Sequence, residues 1–197
     1  MKKRIIALSL LLVLCLGMMV SCEKSPYPNR AYTHTATIEI KDYGKITLAL
    51  DGNTAPITVN NFVTLANSGF YDVLTLHRII EGFMMQGGDP NANGTGGSEH
   101  KIKGEFYLNG VMNDISHKRG VISMARSDDF DSASSQFFIV HEDSTHLDYQ
   151  YAAFGWVIKG MSVVDKICES AEPIDRNGTI LKSEQPVITK ITVEENR

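Results

Sequence analysis

The chain has 197 residues, a formal net charge of −4 and three cysteines. A net negative charge disfavours nucleic-acid binding, which depends on basic patches. So few cysteines also disfavour a small scaffold held together by disulfides. A domain of this length buries roughly 70% of the surface of its unfolded chain, which is enough for a core without covalent staples.

The first residues have the order of parts found in a secretory signal. Three basic residues at positions 2–4 precede an apolar run over residues 5–20, and a serine then stands before Cys22. A helix over that run is about 24 Å long at ~1.5 Å per residue, which is short of the ~30 Å hydrocarbon core. A cleaved signal is therefore favoured over a membrane span, and we predict that residues 1–21 are a signal peptide of an exported protein.

The end of this signal, Met-Val-Ser-Cys over residues 19–22, resembles a bacterial lipobox. The resemblance implies that Cys22 is lipidated and anchors the protein to a membrane of the cell envelope. The alternative is an ordinary signal cut nearby, which leaves Cys22 as a free thiol. Loss of residues 1–21 removes three basic side chains and no acidic one, so the mature charge is −7. This charge argues against attachment to lipid through a polybasic surface.

Residues 22–34 are predicted to be a flexible tether, because residues 23–34 are polar, contain two prolines and show no hydrophobic period. Residues 35–197 are predicted to form one domain. It begins as a β-hairpin, because residues 35–40 and 45–50 alternate apolar and polar side chains on either side of an Asp-Tyr-Gly turn.

Two helices are predicted further along. Thr58 is the candidate N-cap of the first, whose apolar residues recur at helical spacing up to Ala66 and which ends at Gly69. The second covers residues 162–170 and includes Cys168, which is predicted to be a core residue, so no internal disulfide is expected. The remaining short apolar runs are predicted strands that do not alternate regularly with helices. This pattern favours a mainly β fold, a closed antiparallel barrel capped by helices.

The strongest chemical signal lies in residues 76–89, where Arg78 precedes an aromatic and thioether cluster. In a regular strand, Leu76, Arg78 and Ile80 share one face. An arginine flanked by apolar neighbours is either a solvated edge residue or a charge at the rim of an apolar pocket. The residues that follow favour the pocket, because a glutamine can share a face with a methionine and nearby glycines leave the backbone open to close approach.

Two other polar groups are weighed as possible metal sites. His141 and His146 are five residues apart with no third ligand at metal spacing, so both are predicted to be solvated loop residues. The aspartates at positions 128, 129 and 131 lack the glycine and terminal glutamate of an EF-hand loop, so an exposed acidic turn is predicted. No metal site is predicted.

Five separated motifs resemble the cyclophilin family, in the family's order: LHRIIEGFMMQGGD from residue 76, NGTGG from residue 93, GVISMAR from residue 120, SQFFI from residue 135 and AFG from residue 153. The match extends from about residue 35 to the C-terminus. Several motifs in order are far more specific than any single one. The resemblance implies an eight-stranded barrel capped by two α-helices. It also implies peptidyl-prolyl cis-trans isomerase activity, here on exported proteins.

The resemblance further implies roles for single residues. Arg78 matches the family's catalytic arginine, Gln86 matches the glutamine that supports it and the substrate carbonyl, and His77 matches a histidine behind the site. Ala125 and Arg126 fall where the family pairs its backbone with the peptide, and Tyr151 stands where many members have histidine. The substrate-binding residues are therefore expected to be Phe83, Met84, Ala125, Arg126, Phe138, Leu147 and Tyr151.

This set of residues suits the chemistry of prolyl isomerisation. Rotation about an X-Pro bond faces a barrier of ~20 kcal/mol, because the amide resonance is lost and the prolyl nitrogen regains a lone pair. An arginine stays protonated and can donate a hydrogen bond to that lone pair, which the planar ground state does not offer. The mechanism needs no nucleophile, metal or cofactor, and no cofactor is predicted.

Two positions depart from the best-known members of the family. His146 stands where they have tryptophan, and the loop over residues 126–134 is one residue longer and more acidic, which argues against tight cyclosporin binding. The alternative to an enzyme is a proline-peptide binding module or chaperone on the same fold, because fold alone does not establish activity. The predicted partners are proline-containing polypeptides and, through the lipid, a membrane; the protein is predicted to be a monomer.

Overall fold

The computed structural model describes residues 25–196, so the predicted signal peptide and Cys22 lie outside the described residues. Within this range the chain forms eight strands, two α-helices and two short 3₁₀ turns. None of the helices in this range combines the length and the apolar character needed to cross a membrane. In chain order the elements are β1 (His34–Ile40), β2 (Gly44–Leu50), α1 (Pro56–Asn67), β3 (Thr75–Ile80), β4 (Met84–Asp89), a 3₁₀ turn (Tyr107–Asn109), β5 (Val121–Met124), β6 (Phe137–Val140), a 3₁₀ turn (Thr145–Leu147), β7 (Ala153–Lys159), α2 (Met161–Ser170) and β8 (Ile188–Glu195).

The strands form one antiparallel sheet in the order β3-β4-β6-β5-β7-β2-β1-β8. The predicted mainly β fold with eight strands and two helices is confirmed, but closure of the barrel is less complete than predicted. The two ends of the sheet approach each other at a short seam, where Ile188 N at the start of β8 donates to Leu74 O just before β3 at 2.8 Å. Beyond this seam, β3 bonds instead to the loop before β8, where Ile79 N donates to Gly178 O.

The N-terminal hairpin forms as predicted, with β1 and β2 paired in regular register from His34↔Leu50 to Ile40↔Gly44. The first helix differs from the prediction at its start, because it begins at Pro56 and not after Thr58. Proline suits this position, since it has no N–H to leave unpaired. The first turn is capped by Glu105, whose carboxylate accepts bonds from Ile57 N at 3.1 Å and from Thr58 N at 2.7 Å.

The second helix confirms the prediction for the C-terminal part of the chain and extends one residue further at its start. Cys168 lies on its buried face and is 1% exposed. Burial raises the pKa of its thiol to about 12. Cys168 is therefore the small core residue that the sequence predicts.

Apolar side chains collect on both faces of the sheet. One cluster, the inner core, fills the barrel and includes an aromatic group of Phe62, Tyr71, Phe137 and Phe154. Because neighbouring side chains of a strand point to opposite faces, residues next to inner-core residues build a second cluster on the other face. We call this the outer cluster. Its buried members are Ala49, Met84, Ile115, Val121, Phe138, Val140, Ala153 and Trp156.

Part of the segment predicted as a tether lies against the outer cluster. The ring centroid of Tyr27 is 5.2 Å from that of Trp156. Arg30 forms ion pairs with Asp51 at 2.7 Å and with Asp114 at 2.6 Å. Residues 22–24 of the predicted tether lie outside the described residues. The packed part of the chain therefore begins before the predicted domain boundary at residue 35.

The prediction of a solvated loop is wrong for His141. This residue is 6% exposed, and its Nδ1 accepts a hydrogen bond from Gly82 N at 2.9 Å. Its Nε2 lies 3.2 Å from the carboxylate of Asp165 on α2. The side chain thus ties the turn between β3 and β4 to a helix, a contact that local spacing does not reveal. His146 is exposed, as predicted.

Candidate active site

A cavity of about 470 Å³ opens on the outer-cluster face of the sheet. The ten site residues predicted within the domain all line it, from five separate stretches of the chain. They are His77, Arg78, Phe83, Met84, Gln86, Ala125, Arg126, Phe138, Leu147 and Tyr151. The structure therefore brings the predicted set together in one place, while the role of each residue stays a prediction.

Arg78 lies at the rim of this cavity with its guanidinium held on one side. Its Nε donates to Asn177 O at 2.7 Å and its Nη1 to Gln86 Oε1 at 3.2 Å. Its Nη1 also lies 3.8 Å from Met84 Sδ. Among residues 25–196, no hydrogen bond engages Nη2, so that nitrogen remains a donor for a ligand. Burial lowers the pKa of Arg78, with Tyr151 opposing the shift, yet an arginine remains protonated.

The side chain of Gln86 is fixed by a chain of amides. Gln86 faces Arg78 across the β3–β4 ladder. Its Nε2 donates to Gln136 Oε1 at 2.9 Å, and Gln136 in turn donates to Gly94 O at 3.1 Å and to Gly96 O at 2.7 Å. The orientation of Gln86, and with it one bond to Arg78, is thus set by the glycine-rich loop.

That loop is held in turn by a buried carboxylate. Asp89 is fully buried and accepts hydrogen bonds from the backbone N–H groups of Asn91, Asn93 and Gly94. Burial alone raises the pKa of Asp89, but these donors outweigh it, and the net pKa lies below the usual range. The backbone of the glycine-rich loop is therefore held by hydrogen bonds to an ionised carboxylate close to the cavity.

Apolar side chains form a wall of the cavity, and two of them, Met84 and Phe83, reach the guanidinium of Arg78. Met84 and Phe138 are buried at 1% and 5% exposure, and Phe83, Leu147 and Tyr151 are half-buried. The rings of Phe138 and Tyr151 meet edge to face with centroids 6.0 Å apart. This combination of a concave apolar wall and a guanidinium at the rim is suited to an apolar ring bonded to a polar amide.

The local strand geometry corrects one part of the sequence prediction. Leu76 belongs to the inner core, whereas Ile80 packs on the outer cluster, so Leu76 does not share the face of Arg78. A register shift between Leu76 and Arg78 reverses the alternation.

The glycine pair at positions 87 and 88 allows neighbouring strands to approach each other, since a Cβ at Gly88 would lie 2.5 Å from Ser135 O. The close approach at this glycine is therefore between strands.

Arg126 lies at the other end of the cavity and is engaged by aromatic rings. Its guanidinium carbon is 4.7 Å from the centroid of Tyr151, 4.9 Å from that of Phe130 and 5.2 Å from that of Phe106. Its Nε also donates to Gln150 O at 3.0 Å. The side chain of Arg126 thus connects the acidic loop to the pocket wall, a role that its predicted backbone pairing does not include.

Comparison with known proteins identifies the family. The model of the family described as "Cyclophilin type peptidyl-prolyl cis-trans isomerase/CLD" matches residues 35–193. The chain belongs to the cyclophilin family. The predicted isomerase class is thereby confirmed, and this cyclophilin is a peptidyl-prolyl cis-trans isomerase.

Relatives of this cyclophilin agree with the assignment. A peptidyl-prolyl cis-trans isomerase of Helicobacter pylori (strain J99) is 47% identical over 139 residues, which cover 70% of this chain and 82% of the relative. Peptidyl-prolyl cis-trans isomerase B of Bacillus subtilis is 47% identical over 122 residues, covering 62% and 82% of the two chains. Among solved structures, a cyclophilin-type isomerase of Cryptosporidium parvum, crystallised in the presence of the dipeptide Ala-Pro, has a TM-score of 0.72 at 27% identity and covers 82% of this chain and 99% of that one.

His77 lies behind the rim of the cyclophilin pocket. It is 3% exposed, and neither ring nitrogen has a hydrogen-bond partner within residues 25–196. Burial lowers the pKa of His77, Asp89 opposes this shift and Arg78 reinforces it. A neutral imidazole is therefore favoured beside the guanidinium.

Sequence reasoning missed a buried histidine behind the pocket wall. His117 is 1% exposed and its ring stacks on Phe138, with an interplanar angle of 17° and centroids 6.0 Å apart. Its Nδ1 lies 2.9 Å from the carboxylate of Asp148, and its Nε2 lies 3.0 Å from Ser123 Oγ. Burial lowers the pKa of His117, with Asp148 opposing the shift. The histidine just before GVISMAR was visible in the sequence, but nothing local indicated its partners.

Both positions where the sequence departs from the best-known cyclophilins lie around the pocket. The ring of His146 stands 5.6 Å from that of Phe83 and tilts over it at 33°. In the acidic loop, Asp131 accepts hydrogen bonds from Gly104 N at 3.0 Å and from Asn109 Nδ2 at 2.7 Å. These bonds give the acidic turn a structural role at its base, while Asp128 and Asp129 are exposed, as predicted.

Proposed function

We propose that this cyclophilin accelerates prolyl isomerisation by donating a hydrogen bond from Arg78 to the prolyl nitrogen as the amide twists. The observation that supports the proposal is the half-engaged guanidinium, in which Nε and Nη1 are bonded to Asn177 and Gln86 while Nη2 has no partner among the residues that the structure describes. A donor fixed in this way needs no reorganisation when the lone pair develops, so it stabilises the transition state more than the planar ground state.

The apolar wall has a separate role in this proposal. Phe83, Met84 and Phe138 hold the pyrrolidine ring in place while the residue before it rotates, which is a positioning contribution. Gln86 keeps the guanidinium aimed and offers its amide to the substrate carbonyl. No bond is broken in the reaction, so the side chains supply contacts and charge, and none of them acts as a nucleophile.

A coupled-proteolysis assay on a proline tetrapeptide tests the role of the arginine. We expect Arg78→Ala to lower kcat/KM at least tenfold, which is about 1.4 kcal/mol in the barrier. Arg176→Ala is the matched control, because it removes an exposed arginine from the neighbouring loop and leaves the backbone acceptor at Asn177 in place. Equal rates for Arg78→Ala and the wild type would refute the mechanism. Absence of activity in the wild type would favour the binding-module alternative.

We further propose that the mature protein is a monomer that acts on exported proteins while anchored through a lipid on Cys22. The signal pattern over residues 1–21 supports export, and the lipobox-like end supports the lipid. The described residues of a single chain already bring all ten predicted site residues to one cavity, so the proposed activity needs no second subunit. Mass spectrometry of the mature N-terminus tests the anchor. A diacylglyceryl-modified Cys22 is expected, and an unmodified or missing Cys22 would overturn it.

A further inference from the structure

Residues 27–33 lie outside the stretch that matches the family, yet they pack on the domain. We call this segment the strap. We infer that the strap positions the apolar wall of the proline pocket, with Tyr27 as the positioning residue that acts through Ser116, Asp148 and His117. The inference rests on the proposed use of the wall to hold the proline ring.

Two aromatic contacts seat the strap on the outer cluster. Tyr27 lies against Trp156 at 5.2 Å between ring centroids, and Tyr32 meets the same indole edge-on at 6.2 Å. Trp156 is only 1% exposed, although it points away from the inner core. The strap is therefore part of what excludes water from this tryptophan.

Polar contacts also hold the strap between its two tyrosines and just after them. Arg30 donates to the carboxylate of Asp51, which is 2% exposed, and also to Asp114 and to Thr54 Oγ1 at 2.6 Å each. The ion pair with Arg30 offsets part of the cost of burying the Asp51 carboxylate. At the end of the strap, Thr33 N donates to Leu50 O at 2.8 Å. The segment is thus fixed at several points and does not hang from the domain.

A series of hydrogen bonds, completed by one ring stack, leads from the strap to the pocket wall. Tyr27 Oη donates to Ser116 O at 3.0 Å and accepts from Ser116 N at 2.7 Å. Ser116 Oγ then donates to Asp148 Oδ2 at 2.6 Å. Asp148 also accepts from His117 N at 2.7 Å, and the His117 ring stacks on Phe138. Every step is a direct contact between side chains or backbone groups.

The last steps of this series reach two elements of the wall. Asp148 directly follows Leu147, which lines the cavity at the end of a 3₁₀ turn. His117 stands behind Phe138 and meets Tyr151 edge-on at 6.5 Å. Leu147 and Tyr151 lie on the connection between β6 and β7, which is held both by bonds of its own, such as Leu147 N to Ser144 O, and by contacts from elsewhere in the domain, such as Ser144 N to His117 O. The Tyr27 hydroxyl supplies one of these contacts through Ser116.

The strap also changes the length of any tether. From Cys22 to Tyr27 there are five residue steps, which span at most ~18 Å. The full predicted tether to residue 34 would allow about 40 Å. With a lipid on Cys22, the strap would therefore hold the pocket close to the membrane.

Trp156 is the chain's only tryptophan, so its fluorescence reports directly on the seating of the strap. The experiment uses the full chain, a proline tetrapeptide as substrate and the variants Tyr27→Phe and Tyr27→Ala/Arg30→Ala. Tyr27→Phe keeps the ring on the indole and removes only the hydroxyl. Tyr107→Phe is the matched control, since Tyr107 is 57% exposed and does not line the cavity.

We expect Tyr27→Phe to raise KM about threefold with kcat nearly unchanged, because it removes both hydrogen bonds between the Tyr27 hydroxyl and the backbone of Ser116, and to leave the emission maximum unchanged. The double variant should raise KM further and shift the emission to the red. The positioning role would be overturned if Tyr27→Phe kept the wild-type KM, or if the double variant did so although its emission had shifted to the red. If the emission of the double variant did not shift, the packing of the strap on Trp156 would be overturned. Failure of the arginine mechanism would appear separately, as an unchanged kcat in Arg78→Ala.

Discussion

The inner core and the outer cluster lie on opposite faces of the same sheet, and they differ in what covers them. The barrel and its two helices cover the inner core, in which Ile139 and Phe62 are fully buried. The outer cluster is covered by loops and by the strap, and it is left open at the cavity, where Phe83 and Leu147 remain half-buried. The incomplete cover is what makes a binding surface, whereas the complete cover supplies stability.

Truncation of a side chain in the inner core should have the largest effect on the free energy of unfolding. Phe62 contacts the rings of Tyr71, Phe137 and Phe154, and we expect Phe62→Ala to lower the free energy of unfolding by about 3–5 kcal/mol. Urea unfolding measures this change. Ile57→Ala, at an exposed position of the same helix, is the control and should cost far less. A loss below about 1 kcal/mol at Phe62 would contradict the distinction between the two faces.

Truncation of a side chain that packs on the outer cluster should affect substrate binding more than stability. Phe83 is half-buried and its ring stands 5.9 Å from the guanidinium carbon of Arg78. We expect Phe83→Ala to lower kcat/KM about tenfold, mostly through KM, and to lower the free energy of unfolding by less than about 1.5 kcal/mol. Tyr107→Ala, which removes an exposed ring outside the cavity, should leave both quantities near wild type. A large loss of stability with unchanged kinetics would place Phe83 with the core.

The smallest predicted effect concerns the pH dependence of stability. Burial lowers the pKa of His77 below its usual 6.5, so below that pH the unfolded chain binds a proton that the folded protein does not. The free energy of unfolding should therefore fall as the pH drops from 7 towards the pKa of His77 in the folded protein. Asp89 raises that pKa and Arg78 lowers it. We expect His77→Gln to reduce the loss of unfolding free energy between pH 7 and pH 5.

Urea unfolding at pH 7 and pH 5 measures that difference. His100→Gln, at an exposed histidine, is the control and should follow the wild type. If His77→Gln loses as much stability on acidification as the wild type, the buried neutral imidazole is not a source of the pH dependence.

Local patterns in the sequence were sufficient for features that depend on near neighbours. The alternation of the first hairpin, the second helix and the core position of Cys168 follow from spacing alone. The pocket residues were predicted from the motifs shared with the cyclophilin family. Hydrophobic spacing and local propensity alone would not have identified them.

Long-range contacts explain what the sequence did not reveal. The first helix starts earlier than predicted because Glu105, 47 residues away from Thr58, caps it. Leu76 changes faces because of a register shift that only the partner strand specifies. The strap was predicted to be part of a tether because its contacts with the domain are long-range. The hydroxyl of Tyr27, for example, binds Ser116, which is 89 residues away. No hydrophobic period marks such contacts.

The claim that Arg78 acts on the transition state is tested most directly by NMR on one proline tetrapeptide, measuring its Kd and its cis–trans exchange rate when bound. For Arg78→Ala, we expect exchange to slow at least tenfold, about 1.4 kcal/mol in the barrier, while Kd changes less than about threefold. An unchanged exchange rate, or a slower rate explained entirely by weaker binding, would contradict the account.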